Sequence, residues 1–250
     1  MIEILQKWRV PIDHPKNSEE AIISQIGYEL YNKFYKNYTI KQWKKDPRDL
    51  DISVCGRIPI RTNRDDLYFN DKIQALPKFG YTELFKNILD NKLIKIELNT
   101  SLEQIDKSNF KRILYTGPID EYYKFEYDEL PYRSLIFKKE THNIEYYQPA
   151  VQINYPNDYS YTRIIETKHI TGIKTNNTTI VKEYPAEFKD TGERFYPVPT
   201  IESKDKYNKY YQLTKKDKKI IFIGRLATYR YLNMDQVIGM ALKEAKKCMI

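Results

Sequence analysis

The strongest hydrophobic period in the chain lies in "NSEEAIISQIGYELYNKFYK", residues 17–36, where Ile22, Ile26, Leu30 and Phe34 recur every fourth residue. That spacing predicts a helix with one buried face, and Ile23 widens the face. Asn17 is placed to cap it, and Glu19 and Glu20 sit at the positive end of its dipole. A second short helical turn, "TIKQWKK", follows, and Pro47 should end it. Residues 48–80 show little periodicity and contain Gly56, Pro59, Pro77 and Gly80, which predicts an irregular segment with a functional reason to exist. Thr82 is then predicted to cap a helix, "ELFKNILDN", and two short apolar runs, "LIKIEL" (93–98) and "RILYTG" (112–117), read as strands. From 122 to 200 the pattern changes. "SLIFKKE", "QPAVQINY", "YTRIIETKHI" and "TTIVKEY" are bounded by Pro, Asn, Asp and Gly, which predicts an antiparallel sheet of sequential strands. A helix near 203–213, a strand at 220–223 and a final helix from 234 restore an α/β pattern. The fold class expected is mixed α/β, of the α+β kind.

Charge changes this picture little. The net charge is +8, but 34 acidic residues are interleaved with 42 basic ones, as in "QWKKDPRDLD". A solvated mixed-charge surface accounts for that pattern better than a nucleic-acid interface, so no nucleic-acid partner is expected. Two cysteines offer no metal spacing and no disulfide framework. The N-terminus is charged too soon for a signal peptide, and no apolar run reaches membrane-spanning length. A cytoplasmic protein without a membrane partner is the expectation.

The strand at 220–223 runs into Gly224-Arg225, a Tyr/Arg loop and a helix, an ending that belongs with a glycine-rich dinucleotide loop. That loop needs glycines two and three positions apart. The nearest pair here, Gly224 and Gly239, is far too widely spaced, so the 250 residues contain no such loop. His14, His142 and His169 lack ligand spacing, and no Gly-x-Ser-x-Gly elbow is present. Side chains alone offer no nucleophile.

Six stretches, in order, resemble UDP-galactopyranose mutase. They are "SEEAIISQIGYELYNKFYKNYTIKQW" (18–43), "GRIPIRTNRDDLYFNDKIQALPKFGYT" (56–82), "RILYTGPIDEYY" (112–123), "LPYRSL" (130–135), "YTRIIETKH" (161–169) and "GRLATYRYLNMD" (224–235). The resemblance implies interconversion of UDP-galactopyranose and UDP-galactofuranose through an adduct between the sugar and N5 of reduced FAD. The hard chemistry then belongs to the cofactor, and the protein supplies placement and charge. It implies a helical uridine- and substrate-binding domain at 1–80 with a mobile loop near 44–70. It also implies a discontinuous remnant of the FAD-binding domain at 81–121 and 201–250, and an antiparallel sheet domain at 122–200.

Carried over residue by residue, the resemblance makes Arg57 and Arg163 the pair that clamps the diphosphate, each with several donors. Phe34 and Tyr38 would face the base, with Trp43 nearby. Tyr68, Tyr196 and Tyr231 would lie at the phosphates. Arg225 and the helix start at Met234 and Asp235 would lie beside the flavin. Asn233 stands where the family usually has Asp, on the galactose side. The family's glycine-rich FAD segment is expected from outside these residues, whether as a missing N-terminal part or as a separate chain. Homo-oligomerisation is a further expectation. The alternative reading is a non-catalytic UDP-sugar-binding protein.

Overall fold

The computed structural model describes residues 2–56, 60–65 and 69–248. Helix α1 (Ile2–Trp8) packs on α2 (Ser18–Leu30), and a π-helical turn, Tyr31–Lys36, joins α2 to α3 (Asn37–Trp43). Asn17 caps α2, its side chain accepting from Glu20 N at 2.9 Å. Ile22, Ile23, Ile26, Tyr31 and Cys55 form the core of this helical part.

The predicted single helix over 17–36 is thus interrupted twice. Gly27 adopts φ 76°, ψ 174°, a conformation open in practice only to glycine, and the chain then widens into the π turn. These two breaks rotate the fourfold stripe, so Ile22 and Ile26 are buried while Phe34 is 53% exposed. Helix α3 ends at Lys44 in the left-handed region (φ 52°), before Pro47 is reached.

Helix α4 (Gly80–Leu89) starts earlier than expected, with Phe79 rather than Thr82 at its cap position. The predicted strand at 93–98 does not form. That segment is irregular, with Leu93 86% and Leu98 80% exposed. Strand β1 (Ile113–Tyr115) is followed by the short α5 (Ile119–Tyr122).

A five-stranded antiparallel sheet comes next, as the pattern predicted, except that its strands are not all neighbours in chain order, the first lying beside the fourth and fifth. Its strands begin with β2 (Tyr132–His142), β3 (Gln152–Asn154) and β4 (Arg163–Ile165). After a helical turn α6 (Lys168–Thr171) come β5 (Thr178–Glu187), another turn α7 (Phe188–Thr191) and β6 (Tyr196–Pro197). The spatial order is β3-β4-β5-β2-β6. Helix α8 (Ile201–Thr214), capped by Thr200, leads to β7 (Ile220–Phe222), the turn α9 (Gly224–Ala227) and α10 (Met234–Cys248). β7 pairs in parallel with β1, Ile113 opposite Ile220.

The centre of the molecule is aromatic. Ile119, Leu130, Tyr132, Tyr210 and Tyr229 pack together beneath α5 and α8. The Tyr229 hydroxyl donates to Pro131 O at 2.5 Å and accepts from Val198 N at 3.2 Å, stapling the start of β2 to the end of β6. Among the described residues no helix is long and apolar enough to cross a membrane.

Candidate functional site

The site is assembled from four separate stretches, and strand register explains part of how. In β4 and β5, Arg163 stands directly opposite Glu183, so their side chains share one face of the sheet. Glu183 is 5% exposed and accepts from Arg163 Nε at 2.5 Å. With that edge of the guanidinium held, its Nη1 reaches Gln152 Oε1 and its Nη2 reaches the Tyr196 hydroxyl, each at 3.5 Å. Burial works against the charge on Arg163, but Tyr38, Glu183 and Tyr196 more than offset it and hold the group above its ordinary pKa. A fixed, permanently charged fork is the result.

The aromatic side is equally ordered. Tyr196 stacks on Tyr231 with centroids 5.4 Å apart at 23°. Trp43, at the end of α3, meets Tyr196 at 5.9 Å and Tyr231 edge-on at 6.3 Å. Trp43 rests on Leu50 and Val198. Arg225, in α9, places its Cζ 4.6 Å from the Tyr231 ring centre and 5.1 Å from that of Tyr196. A guanidinium over two stacked rings is a cation–π arrangement that helps to hold its positive charge in place. Burial pushes the Tyr196 phenol up to about 12, so it stays a neutral donor across the physiological range.

The structure therefore brings Tyr38, Trp43, Arg163, Tyr196, Arg225 and Tyr231 into one neighbourhood. It leaves Phe34 exposed on the π turn, with Lys33 Nζ 6.0 Å from its ring centre. Arg57 and Tyr68 lie outside the described residues. Asn233 is part-buried at the start of α10, and its backbone N–H donates to Gln236 Oε1 at 2.9 Å. Met234 and Asp235 are exposed there.

Two cavities of about 400 and 370 Å³ lie to one side, along the first turn of α8. Of the sequence-predicted residues only Trp43 borders them, on the smaller. Neither of these two cavities is lined by Arg163, Tyr196, Arg225 or Tyr231.

Three supporting residues escaped the reading of the sequence. Glu183 and Gln152 hold Arg163, and they become visible only once β3, β4 and β5 are set in register. Arg133, buried at the head of β2, donates from Nε to Gln42 O at 2.9 Å and pairs with Glu187, tying the end of α3 to the sheet behind Trp43. The sole sequence signal for Arg133 was its place in "LPYRSL".

Two cations set among stacked aromatic rings, in a cleft without metal-ligand clusters among the described residues, define a class of site. It suits a ligand with a flat ring and concentrated negative charge. A family model described as UDP-galactopyranose mutase matches residues 33–231, and the chain belongs to that family.

A Klebsiella pneumoniae protein named "Probable UDP-galactopyranose mutase" is 38% identical over 243 residues, which are 97% of this chain and 63% of that protein. The dTDP-fucopyranose mutase of Escherichia coli is 36% identical over 253 residues, covering 98% of this chain and 66% of its own length. The chain thus spans somewhat less than two thirds of these relatives. A crystal structure of reduced UDP-galactopyranose mutase superposes with a TM-score of 0.65 at 15% identity, over 92% of this chain and 67% of that one, a likeness of fold.

Proposed function

We propose that this chain supplies the nucleotide-sugar side of an isomerase that interconverts UDP-galactopyranose and UDP-galactofuranose. The observation that carries the reading is the convergence of Arg163 and Arg225 with Tyr38, Trp43, Tyr196 and Tyr231. In this reading Tyr38 and Trp43 meet the base. Arg163 faces the diphosphate, where negative charge grows as UDP leaves the sugar, and a preorganised cation lowers that barrier. The Tyr196 phenol donates a hydrogen bond to a phosphate oxygen. Arg57 is proposed as the second arginine of the clamp. Asn233, on the sugar side, orients hydroxyls without adding negative charge near the departing phosphate.

Reduced FAD, when bound, would supply the nucleophile at the anomeric carbon. The residues present fit one wall of such a site. Gly224 takes φ 88° at the end of β7, with Thr116 Cβ 3.8 Å from where a Cβ would sit, so the backbone turns sharply there. Arg225 follows, and the first turn of α10, with Met234 and Asp235, presents its amides beside it. A loop for the dinucleotide phosphates is proposed to come from residues outside these 250, on the same polypeptide or on another.

The exposed apolar faces support that proposal. Leu114 of β1, Ile94 and Ile96 of the preceding segment, and Met234, Ile238 and Leu242 of α10 are all solvent-facing. Parallel strands normally have both faces covered. The chain is proposed to be a cytoplasmic flavoprotein component.

The test is UDP binding, followed by Trp43 fluorescence or calorimetry. Removing a charged hydrogen-bonding group costs about 1.5–3 kcal/mol, so Arg163→Ala should weaken UDP roughly 10- to 100-fold. A wild-type chain that does not bind UDP would sink the reading.

A further inference from the structure

Lys41 sits on α3, the helix that also bears Tyr38 and Trp43. Its ammonium makes no salt bridge among the described residues. Instead it donates to three backbone carbonyls of one loop: Tyr155 O at 2.6 Å, Tyr161 O at 3.2 Å and Asn157 O at 3.3 Å. All three of its protons can be spent there. Two amide contacts reinforce the same junction. Asn37 Nδ2 donates to Asn157 Oδ1 at 2.8 Å, and Asn157 Nδ2 reaches Lys33 O at 3.4 Å.

The loop so held is the β3–β4 connection. Its base is closed by Tyr155 N donating to Thr162 O at 2.8 Å. Thr162 is fully buried and donates its own N–H to Glu183 O at 2.9 Å. The next residue is Arg163. Lys41 therefore ties the helix that carries one side of the cleft to the loop that delivers the other. The loop is also braced by its own rings, Tyr159 stacked on Tyr161 at 4.9 Å and both against Tyr155, and Tyr161 rests on Tyr184 of β5 at 5.8 Å. Those rings stiffen it internally but do not set its distance from α3.

We propose that Lys41 is a positioning residue that fixes the spacing between Tyr38 and Arg163, so that one ligand can meet a ring on the helix and a cation on the strand together. The proposal rests on the nucleotide reading above. A compact ammonium suits three converging carbonyls, whereas the planar guanidinium of arginine projects its donors in a fork. Arginine is thus a poor replacement here, although it keeps the charge.

The experiment titrates UDP and uridine separately against the full chain, as wild type, Lys41→Met and Lys41→Arg. Uridine needs only the helix side, while UDP needs both. Loss of the clamp should weaken UDP by about tenfold and uridine by less than about threefold, with Lys41→Arg restoring only part of the difference. A general loss of fold would weaken both ligands alike, so the ratio of the two affinities is the quantity that decides. If Lys41→Met does not fold, Asn37→Ala removes one link from the same junction and should shift the ratio in the same direction by a smaller amount. Equal weakening of UDP and uridine, or no change in either, overturns the clamp while leaving the nucleotide site standing. A wild-type chain that binds no UDP overturns the nucleotide site, and the clamp's purpose with it.

Discussion

Gly27 is the position where backbone physics makes the sharpest demand. Its φ of 76° with ψ of 174° lies in a region that residues with a Cβ essentially never occupy. A Cβ built there would fall 2.1 Å from Trp8 O and 2.6 Å from Trp8 C, both main-chain atoms that cannot rotate away. Gly27→Ala therefore meets two costs. The dihedral strain is about 1–3 kcal/mol. Relieving the contact means moving α1 off α2 and opening the packing of Leu5, Val10 and Ile12 on the Ile22–Ile26 core, for roughly 2 kcal/mol more.

Gly172→Ala is the control. Gly172 also has positive φ, 67°, but ψ is near zero and nothing lies within 4 Å of its Cβ position. Its cost should be about 1 kcal/mol, the ordinary left-handed penalty. In urea unfolding followed by circular dichroism, Gly27→Ala should lose about 3–5 kcal/mol and Gly172→Ala about 1. In a chain of this size the gap should appear as a difference in melting temperature of roughly 4–12 °C. Equal losses at the two glycines would refute the argument from the contact with Trp8.

Alongside the UDP titrations of the Arg163 and Lys41 variants, two further outcomes are expected. Tyr229→Phe removes one of two hydrogen bonds to the Pro131 carbonyl, which keeps the Val198 N–H at 3.1 Å, and should cost about 0.5–1.5 kcal/mol, read as a lower urea midpoint at unchanged slope. Glu166, wholly buried, is subject to burial that raises its pKa, but hydrogen bonds from Thr178 and from the Tyr147 and Gln148 amides outweigh it and hold the carboxyl below its usual range. A depressed folded-state pKa gives stability that is present above the unfolded value of about 4.3 and is lost as pH falls through the folded one. Melting temperature should accordingly drop on acidification, and Glu166→Gln should be less stable at neutral pH and flatter on the acid side. A variant whose acid limb matches the wild type would rule this carboxylate out as the source.

The sequence made the sheet legible because half-buried antiparallel strands show their alternation directly. β2 and β5 fell where "SLIFKKE" and "TTIVKEY" placed them, and the helix starts at Asn17 and Met234 followed from local rules of capping and period. What failed had tertiary causes. The stripe Ile22–Ile26–Leu30–Phe34 is perfect on paper, and only the clash of a Cβ with the Trp8 carbonyl reveals why Gly27 breaks it. "LIKIEL" has strand composition but forms no ladder, because a strand exists only through a partner and the described residues offer it none. Within the site, the arginines and tyrosines could be picked out through the family resemblance, whereas Glu183 could not. Its role depends on the register of β4 on β5, and a shift of one residue would turn it to the opposite face.

The two ends of the molecule differ in how far they account for themselves. Around Trp43 and Tyr196 every ring has neighbours, and the charge on Arg163 has a carboxylate to hold it in place. Around β1, the 93–98 segment and the outward face of α10, Leu, Ile and Met side chains face solvent, and among the described residues a parallel ladder of only three residues per strand has no flanking strand. Such a pair is marginal by itself, since parallel strands gain their stability from coverage on both faces. Isolated apolar residues on a surface need no explanation, but so many exposed on α10, on β1 and on the segment before it are a liability unless something covers them. The cleft and this bare face meet at Gly224 and Arg225, where β7 turns toward α10. Whatever covers the face would therefore also approach Arg225 and the two rings beneath its guanidinium.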